Sequence, residues 1–269
     1  MTTITEVTGL ASTRAVTAAV VDRLRGHTPF VCLDFDGTLA PIANDPATIE
    51  LSTRGRAALI ELSHCFPVAI VSGRAIADLK ARIPTERLYF AGNHGLEIEG
   101  PGLTRRHAEA IAARRELQRA YSSIQHATTD IEGVLIEDKG LTLSVHYRQT
   151  PEFARLHVAR AVDRAVVESQ NLRKHHGKCV YELRPAVDWH KGAAVEYLRS
   201  AIERKTGTNL LPLYVGDDCT DEDAFAVLNQ GRGVSILVAD AARPTAAEYL
   251  LPSPDAVHKF LENLLDELT

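Results

Sequence analysis

Five short apolar runs narrow the folds open to this chain: Phe30 to Leu33, Val68 to Val71, Leu88 to Ala91, Leu211 to Val215 and Gly233 to Val238. Each stops at a polar or glycine-containing turn and gives way to residues in helical spacing. A strand with one wet face alternates apolar and polar side chains, whereas an uninterrupted run is covered on both faces, as in a parallel sheet between two helical layers. Ser52 can cap a helix running to His64, with Leu59, Leu62 and Phe66 in helical spacing. Ser253 and Pro254 open a final helix whose Val257, Phe260, Leu261, Leu264, Leu265 and Leu268 form one apolar stripe. Residues 1–29 also read as a helix.

The middle third has a different rhythm. A helical stretch from about Arg105 to Ala127 precedes Gly133 to Glu137 and Leu141 to Arg148, a hairpin turning at Lys139-Gly140. The form then repeats: Pro151 opens a helix to about Gln170, and Leu172 to His176 pairs with Cys179 to Leu183 around Gly177. Two helix-plus-hairpin units predict an open sheet with helices on one face, inserted into the larger domain near Pro101-Gly102 and Arg184-Pro185. The expected division is a Rossmann-like α/β core over residues 1–103 and 184–269 and an inserted α/β domain over 104–183.

Charge excludes some partners. The net charge is −5, and no Lys/Arg run could track nucleic acid or an anionic membrane. Arg105-Arg106 and Arg114-Arg115 read as a solvated helix face. Cys32, Cys65, Cys179 and Cys219 lack both the paired spacing of a zinc site and the density of a disulfide scaffold, so reduced thiols are expected. No segment reads as a signal peptide or as the roughly 20 apolar residues of a membrane span. A cytoplasmic monomer is the expectation.

Strands of an open parallel sheet present functional residues at their C-terminal ends. The first run ends in Asp34 and Asp36, the second in Ser72-Gly73-Arg74, and the fourth in Asp217, Asp218 and Asp221. If these ends converge, the acids need a cation, because like charges about 4 Å apart repel by roughly 4 kcal/mol at an effective dielectric near 20. Oxygen donors without suitably spaced Cys or His point to Mg²⁺ rather than zinc. A carboxylate attacks an anionic phosphate only if their repulsion is cancelled, and Lys191 in Asp188-Trp189-His190-Lys191-Gly192 can share that task with Mg²⁺. Ser72 and the amides near Gly37 and Gly73 can bind phosphate oxygens. Asp36, curled back by Gly37, can protonate the leaving oxygen and then activate water. A bare Asp-x-Asp is more simply a cap or a turn; the preceding apolar strand, the following Gly37-Thr38 and the order of the other elements favour chemistry.

Asp34-Phe35-Asp36-Gly37-Thr38, Ser72-Gly73-Arg74, Lys191-Gly192 and Gly216-Asp217-Asp218 resemble the four signature elements of haloacid-dehalogenase-type phosphatases. The resemblance implies Asp34 as nucleophile and Asp36 as general acid and base. It also implies Mg²⁺ held by the Asp34 side chain, the Asp36 carbonyl and Asp217, with Asp218 and Asp221 in support. A narrower set resembles trehalose-6-phosphate phosphatases: Asp36 to Ile42, Gly92 to Glu97, Glu137-Asp138-Lys139 with His146-Tyr147-Arg148, Glu182 to Pro185 and Gly216 to Phe225. That likeness implies that residues 1–103 and 184–269 form a haloacid-dehalogenase-like hydrolase core and that the α/β domain over 104–183 is a cap, with substrate contacts from Glu137, Lys139, Arg148, Lys178 and Glu182 in the cap and from Arg74, Asn93, His94 and Gly95 in the core. It further implies a small sugar phosphate as partner and an enzyme without the synthase domain sometimes fused to such proteins. From the residues alone, Glu137, Lys139 and Arg148 are better explained by cross-strand pairing on a solvated hairpin. Phosphatases for sucrose, glucosylglycerate or mannosylglycerate phosphate, a phosphomutase, and a non-catalytic sugar-phosphate sensor are the competing readings.

Overall fold

The computed structural model describes residues 5–6 and 12–269, except 44 and 230. The expected helix over residues 1–29 is found as α1 (Thr13–Leu24), with Ser12 accepting from the Ala15 amide; residues 1–4 and 7–11 lie outside the described part. A two-residue strand, β1 (Thr5–Glu6), pairs antiparallel with β13 (Pro244–Thr245). The chain forms two compact units, Met1–Thr104 with Trp189–Thr269, and Arg105–Asp188.

The first unit is built on an eight-stranded sheet. In chain order its strands are β2 (Thr28–Leu33), β3 (Val68–Val71), β4 (Tyr89–Gly92), β5 (Glu97–Gly100), β6 (Leu103–Arg106), β11 (Leu210–Gly216), β12 (Val234–Val238) and β14 (Tyr249–Leu251). The spatial order is β14-β12-β11-β2-β3-β4-β5-β6. From β14 to β4 neighbouring strands are parallel, and β5 joins antiparallel. Connections leave β2 toward β3 on one side and return through β11 on the other. The switch in direction opens a crevice at the C-terminal ends of β2 and β11, where open α/β sheets bind ligands.

The uninterrupted apolar runs do bury both faces. Val31 and Leu33 of β2 join one core with α1, α2 (Thr53–Cys65) and α9 (Pro254–Leu268). Phe30 and Cys32 join the other, against α7 (Lys191–Thr206) and α8 (Glu222–Leu228). Ser52 and Ser253 cap α2 and α9 as their positions suggest, accepting from the amides of Gly55 and Ala256.

The second unit has a four-stranded sheet, β7 (Leu135–Asp138), β8 (Leu143–His146), β10 (Val180–Pro185) and β9 (Leu172–Gly177) in spatial order. The pairings are antiparallel. Leu143, Val145 and Leu183 face α5 (Arg114–Thr128) and α6 (Glu152–Val167) in a third core. One expectation fails here. Arg105 and Arg106 do not start a helix: they end β6, and the helical stretch begins as the short α4 (Ala108–Ala112) before α5. The Pro101-Gly102 turn, with Gly102 at φ +66°, sends the chain back along the sheet edge, and pairing with that edge overrides the local helical spacing.

Candidate active site

At the end of β2 the Asp34 amide donates to the Val215 carbonyl of β11 at 2.9 Å, so strand pairing continues through the first acid of the motif. The chain then turns sharply. Gly37 has φ +82°, its amide donates to Ala40 O at 2.7 Å, and the Leu39 and Ala40 amides both donate to Phe35 O. A side chain at Gly37 would overlap the Asp217 carboxylate, so glycine is needed for its conformation and for the close approach of the two loops. Thr38 Oγ1 reaches Asp217 Oδ1 at 3.4 Å.

Lys191, at the first turn of α7, is 2% exposed. Its Nζ lies 2.7 Å from Asp221 Oδ1 and 3.1 Å from Asp34 Oδ2. Burial alone would lower its pKa, but the Asp221 and Asp34 charges reverse the effect and hold it protonated. Burial pushes the Asp34 carboxyl well up; Lys191 pulls it back, while Asp221, Asp217 and Asp36 add repulsion.

Carboxylate oxygens of Asp34, Asp217 and Asp221 all lie within 4.8 Å of one another. Their roles differ. Asp221 Oδ1 accepts from Lys191 Nζ and from the Tyr214 hydroxyl at 2.7 Å, and Oδ2 accepts from the amides of Asp217 and Asp218 at 3.0 and 2.9 Å. Four hydrogen bonds fill a carboxylate's four acceptor positions, so Asp221 shapes the loop. Asp218 caps the 3-10 turn Cys219–Asp221 and accepts from the Cys219 amide. Asp34 and Asp217 remain as side chains for a cation. The all-oxygen donor set and the space kept open by Gly37 fit a small, hard divalent ion.

The second element lies beside the first. The Ser72 amide continues the sheet to Ala91 O, and its Oγ, buried at the end of β3, accepts from the Arg74 amide at 3.3 Å. Arg74, a candidate substrate contact, commits four of its five N–H donors to the protein. Nε and one Nη2–H bond the two Asp36 oxygens at 2.7 Å each, Nη1 bonds Asp78 at 2.6 Å, and Nη2 also bonds Pro46 O at 2.9 Å.

Asn93, His94 and Gly95 form a 3-10 turn after β4 with φ of 49°, 57° and 88°. Two of these are non-glycine residues in the left-handed region, a costly arrangement that must be held from outside. Glu97 does much of that, with Oε1 accepting from Asn93 Nδ2 at 2.8 Å and the Ile76 amide at 2.9 Å. The His94 amide donates to Ser72 O, Trp189 Nε1 donates to Gly95 O at 2.8 Å, and the His94 ring packs over Gly73 where a Cβ would collide with it.

In the second unit, Glu137 and Glu182 both stand opposite Ser144 in the strand register, so they share the sheet face turned away from the helices. Glu182 Oε1 lies 3.5 Å from Lys139 Nζ, Glu182 Oε2 accepts from Arg184 Nε at 2.7 Å, and Glu137 Oε2 lies 3.2 Å from His146 Nε2. Arg148 Nη2 donates to Lys178 O at 2.8 Å, placing those two at the other end of the sheet.

Sequence reasoning missed Tyr214 and Arg243, and it placed Glu97 in a motif without giving it a task. Tyr214 reads as one more apolar residue of a strand; its signal was a phenol in a fully buried run, whose hydroxyl must find a partner. Arg243 bonds Glu222 and donates to the Asp217 carbonyl at 3.1 Å from a loop with no motif around it.

The trehalose-phosphatase family profile matches residues 32–255. Trehalose 6-phosphate phosphatase RA3 of Zea mays is 35% identical over 257 residues, covering 90% of this chain and 71% of its own. Trehalose-phosphate phosphatase B of Arabidopsis thaliana is 34% identical over 257 residues, with coverage of 92% and 69%. Among solved structures, the C-terminal domain of trehalose-6-phosphate phosphatase from C. albicans superposes with a TM-score of 0.78 at 23% identity, over 93% of this chain and 96% of that one. The Aspergillus fumigatus trehalose-6-phosphate phosphatase gives 0.62 at 26% identity, over 93% and 97%.

Proposed function

The chain belongs to the trehalose-phosphatase family, and on that premise we propose that it is a Mg²⁺-dependent hydrolase converting trehalose 6-phosphate to trehalose and phosphate. The observation that carries the chemistry is the buried Lys191 ammonium between Asp34 and Asp221, beside an oxygen-only cation site.

Asp34 Oδ attacks phosphorus, a P–O bond forms to the carboxylate, and the ester P–O bond to the sugar breaks. Asp36 gives its proton to the departing sugar oxygen. Water then loses a proton to Asp36 as its oxygen attacks the aspartyl phosphate, releasing inorganic phosphate and restoring both acids. Asp34, Asp217 and the Asp36 carbonyl would hold Mg²⁺, which when bound would supply positive charge against the phosphate oxygens. Lys191 holds the Asp34 carboxylate in place, and Ser72 with the amides beyond β2 and β3 offers donors to the transferred group.

Glu137, Lys139, Arg148, Lys178 and Glu182 are the proposed sugar contacts, with Asn93, His94 and Gly95 at the phosphatase end. Paired acids and lysines suit hydroxyl recognition, because a site built for hydroxyls rejects an analogue that leaves those groups unpaired. Cellular placement in the cytoplasm accords with a chain in which no described helix is long and apolar enough to cross a membrane. Phosphate release from a panel of sugar phosphates, with Mg²⁺ and after its chelation, tests the reading. Trehalose 6-phosphate should be hydrolysed faster than glucose 6-phosphate or sucrose phosphate, and only with the metal. Equal rates across the panel would remove the substrate assignment, and full activity without metal the mechanism.

A further inference from the structure

Asp36 is held by an ion-pair network distinct from the one around Lys191. Both its oxygens accept from the Arg74 fork, and the two ends differ in exposure: the Arg74 side chain is 9% exposed and that of Asp36 32%. The guanidinium lies beneath the carboxylate while the acid reaches into the open. Arg74 is fixed in turn. Its guanidinium sits 5.3 Å over the Phe35 ring, and Asp78 Oδ2 accepts from it at 2.6 Å. Asp78 also accepts from Arg82 Nε and Nη2, each at 2.9 Å, and Arg82 donates onward to the carbonyls of Ile49 and Ala47. Four alternating charges thus run from the catalytic acid, through α3 (Ile76–Arg82), to the segment 46–49.

We infer that Arg74, braced by Asp78 and Arg82, is a positioning residue that fixes the orientation of the Asp36 carboxyl for proton transfer. A planar fork bonding both oxygens sets the plane of a carboxyl group as well as its place, which a single lysine contact cannot do. Each Asp36 oxygen accepts one N–H from Arg74 and keeps a second acceptor position, so the group is oriented without being filled. Backbone hydrogen bonds fix the turn at Gly37, and the Arg74 fork fixes the rotamer of the Asp36 side chain that the turn alone leaves open. The assignment rests on the proposed general acid and base role of Asp36. It gives Arg74 a task other than gripping the substrate phosphate.

The two tasks separate by leaving group. A sugar oxygen leaves poorly and needs the proton; p-nitrophenolate leaves without one. Arg74→Met should slow single-turnover release of the sugar from trehalose 6-phosphate by about 10²-fold, the lower end of what general acid catalysis contributes. Single-turnover release of p-nitrophenolate from p-nitrophenyl phosphate should slow several-fold at most, with inhibition by inorganic phosphate little changed, while hydrolysis of the shared aspartyl phosphate, which also uses Asp36, slows equally after either substrate. Arg74→Lys should restore part of the sugar-phosphate rate, and Arg82→Met, which touches neither substrate nor Asp36, should show the same split at smaller amplitude. Equal losses on both substrates with weakened phosphate inhibition would make Arg74 a phosphate ligand and overturn the inference. If Arg74→Met does not fold, the split or its absence in Arg74→Lys and Arg82→Met decides. A wild-type enzyme that hydrolyses a different sugar phosphate would sink the substrate proposal while leaving this comparison intact on that ester.

Discussion

Lys191 Nζ is 3.1 Å from Asp34 Oδ2, and the two side chains are 2% and 6% exposed. A buried ammonium is tolerable only because Asp221 stands on its other side, and buried acids at this density are tolerable only because the ammonium is there. Lys191→Met should therefore fail twice. Turnover should fall by at least about 10²-fold through lost electrostatic support. Urea unfolding should show a loss of about 3 to 5 kcal/mol, since two buried carboxylates are left uncompensated. Wild-type stability in this variant would mean that Asp34 and Asp221 relax into water.

Asp34→Asn removes the attacking oxygen while keeping its shape and its link to Val215 through the backbone. Phosphate release should drop below detection, with no acid-stable label on the protein after incubation with ³²P-labelled substrate. Retained turnover would exclude the covalent route.

Gly37→Ala tests the junction between the two loops. The added methyl meets the Asp217 carboxylate at a positive φ. The Mg²⁺ concentration for half-maximal activity should rise about 10 to 100-fold, as when other supports of metal ligands are removed. An unchanged Mg²⁺ titration would dissociate Asp217 from the metal.

Tyr214→Phe deletes one of four hydrogen bonds to Asp221 and nothing else in the packing. The expected cost is about 1 kcal/mol in urea unfolding, with a several-fold fall in kcat because Asp221 sets both Lys191 and the Asp217 amide. A variant as active and stable as the parent would leave the phenol without a role in the loop.

Asp78 links stability to pH. Burial would raise its pKa, but hydrogen bonds from Arg82 and Arg74 outweigh that and hold the folded value below the usual carboxylate range. The unfolded chain then takes up a proton before the folded one. The stabilisation is complete above the unfolded pKa, near 4, and disappears as pH falls through the folded value. Urea midpoints of wild type and Asp78→Asn should differ at pH 7 and converge as pH falls below the unfolded carboxylate value and through the lowered folded value. A gap independent of pH would assign the difference to packing.

Much of the molecule was legible in one dimension. The apolar runs located β2, β3, β4, β11 and β12 to within about two residues, an ordinary margin for element ends, and Ser52 and Ser253 marked two helices by their caps. Such signals survive because they are local: a run covered on both faces must be uninterrupted, and a cap must sit one residue before its helix. Arg105 and Arg106 misled for the complementary reason, since their strand exists only because an edge is available to pair with.

The acids of the site were likewise visible, because a strand end followed by Asp-x-Asp-Gly has few purposes. Their division of labour was not. Asp217 and Asp221 look alike in the segment Gly216 to Asp223, yet one stands against Gly37 and Thr38 and the other spends all four acceptor positions on Lys191, Tyr214 and two amides. Arg74, 38 residues from Asp36 along the chain, could be read only as a cation in a motif. Sequence determined which chemical groups this protein owns and the strand ends that carry them. Tertiary structure decided which acid meets which base, because hydrogen-bond partners are chosen by direction and distance across strands, quantities a linear pattern does not contain.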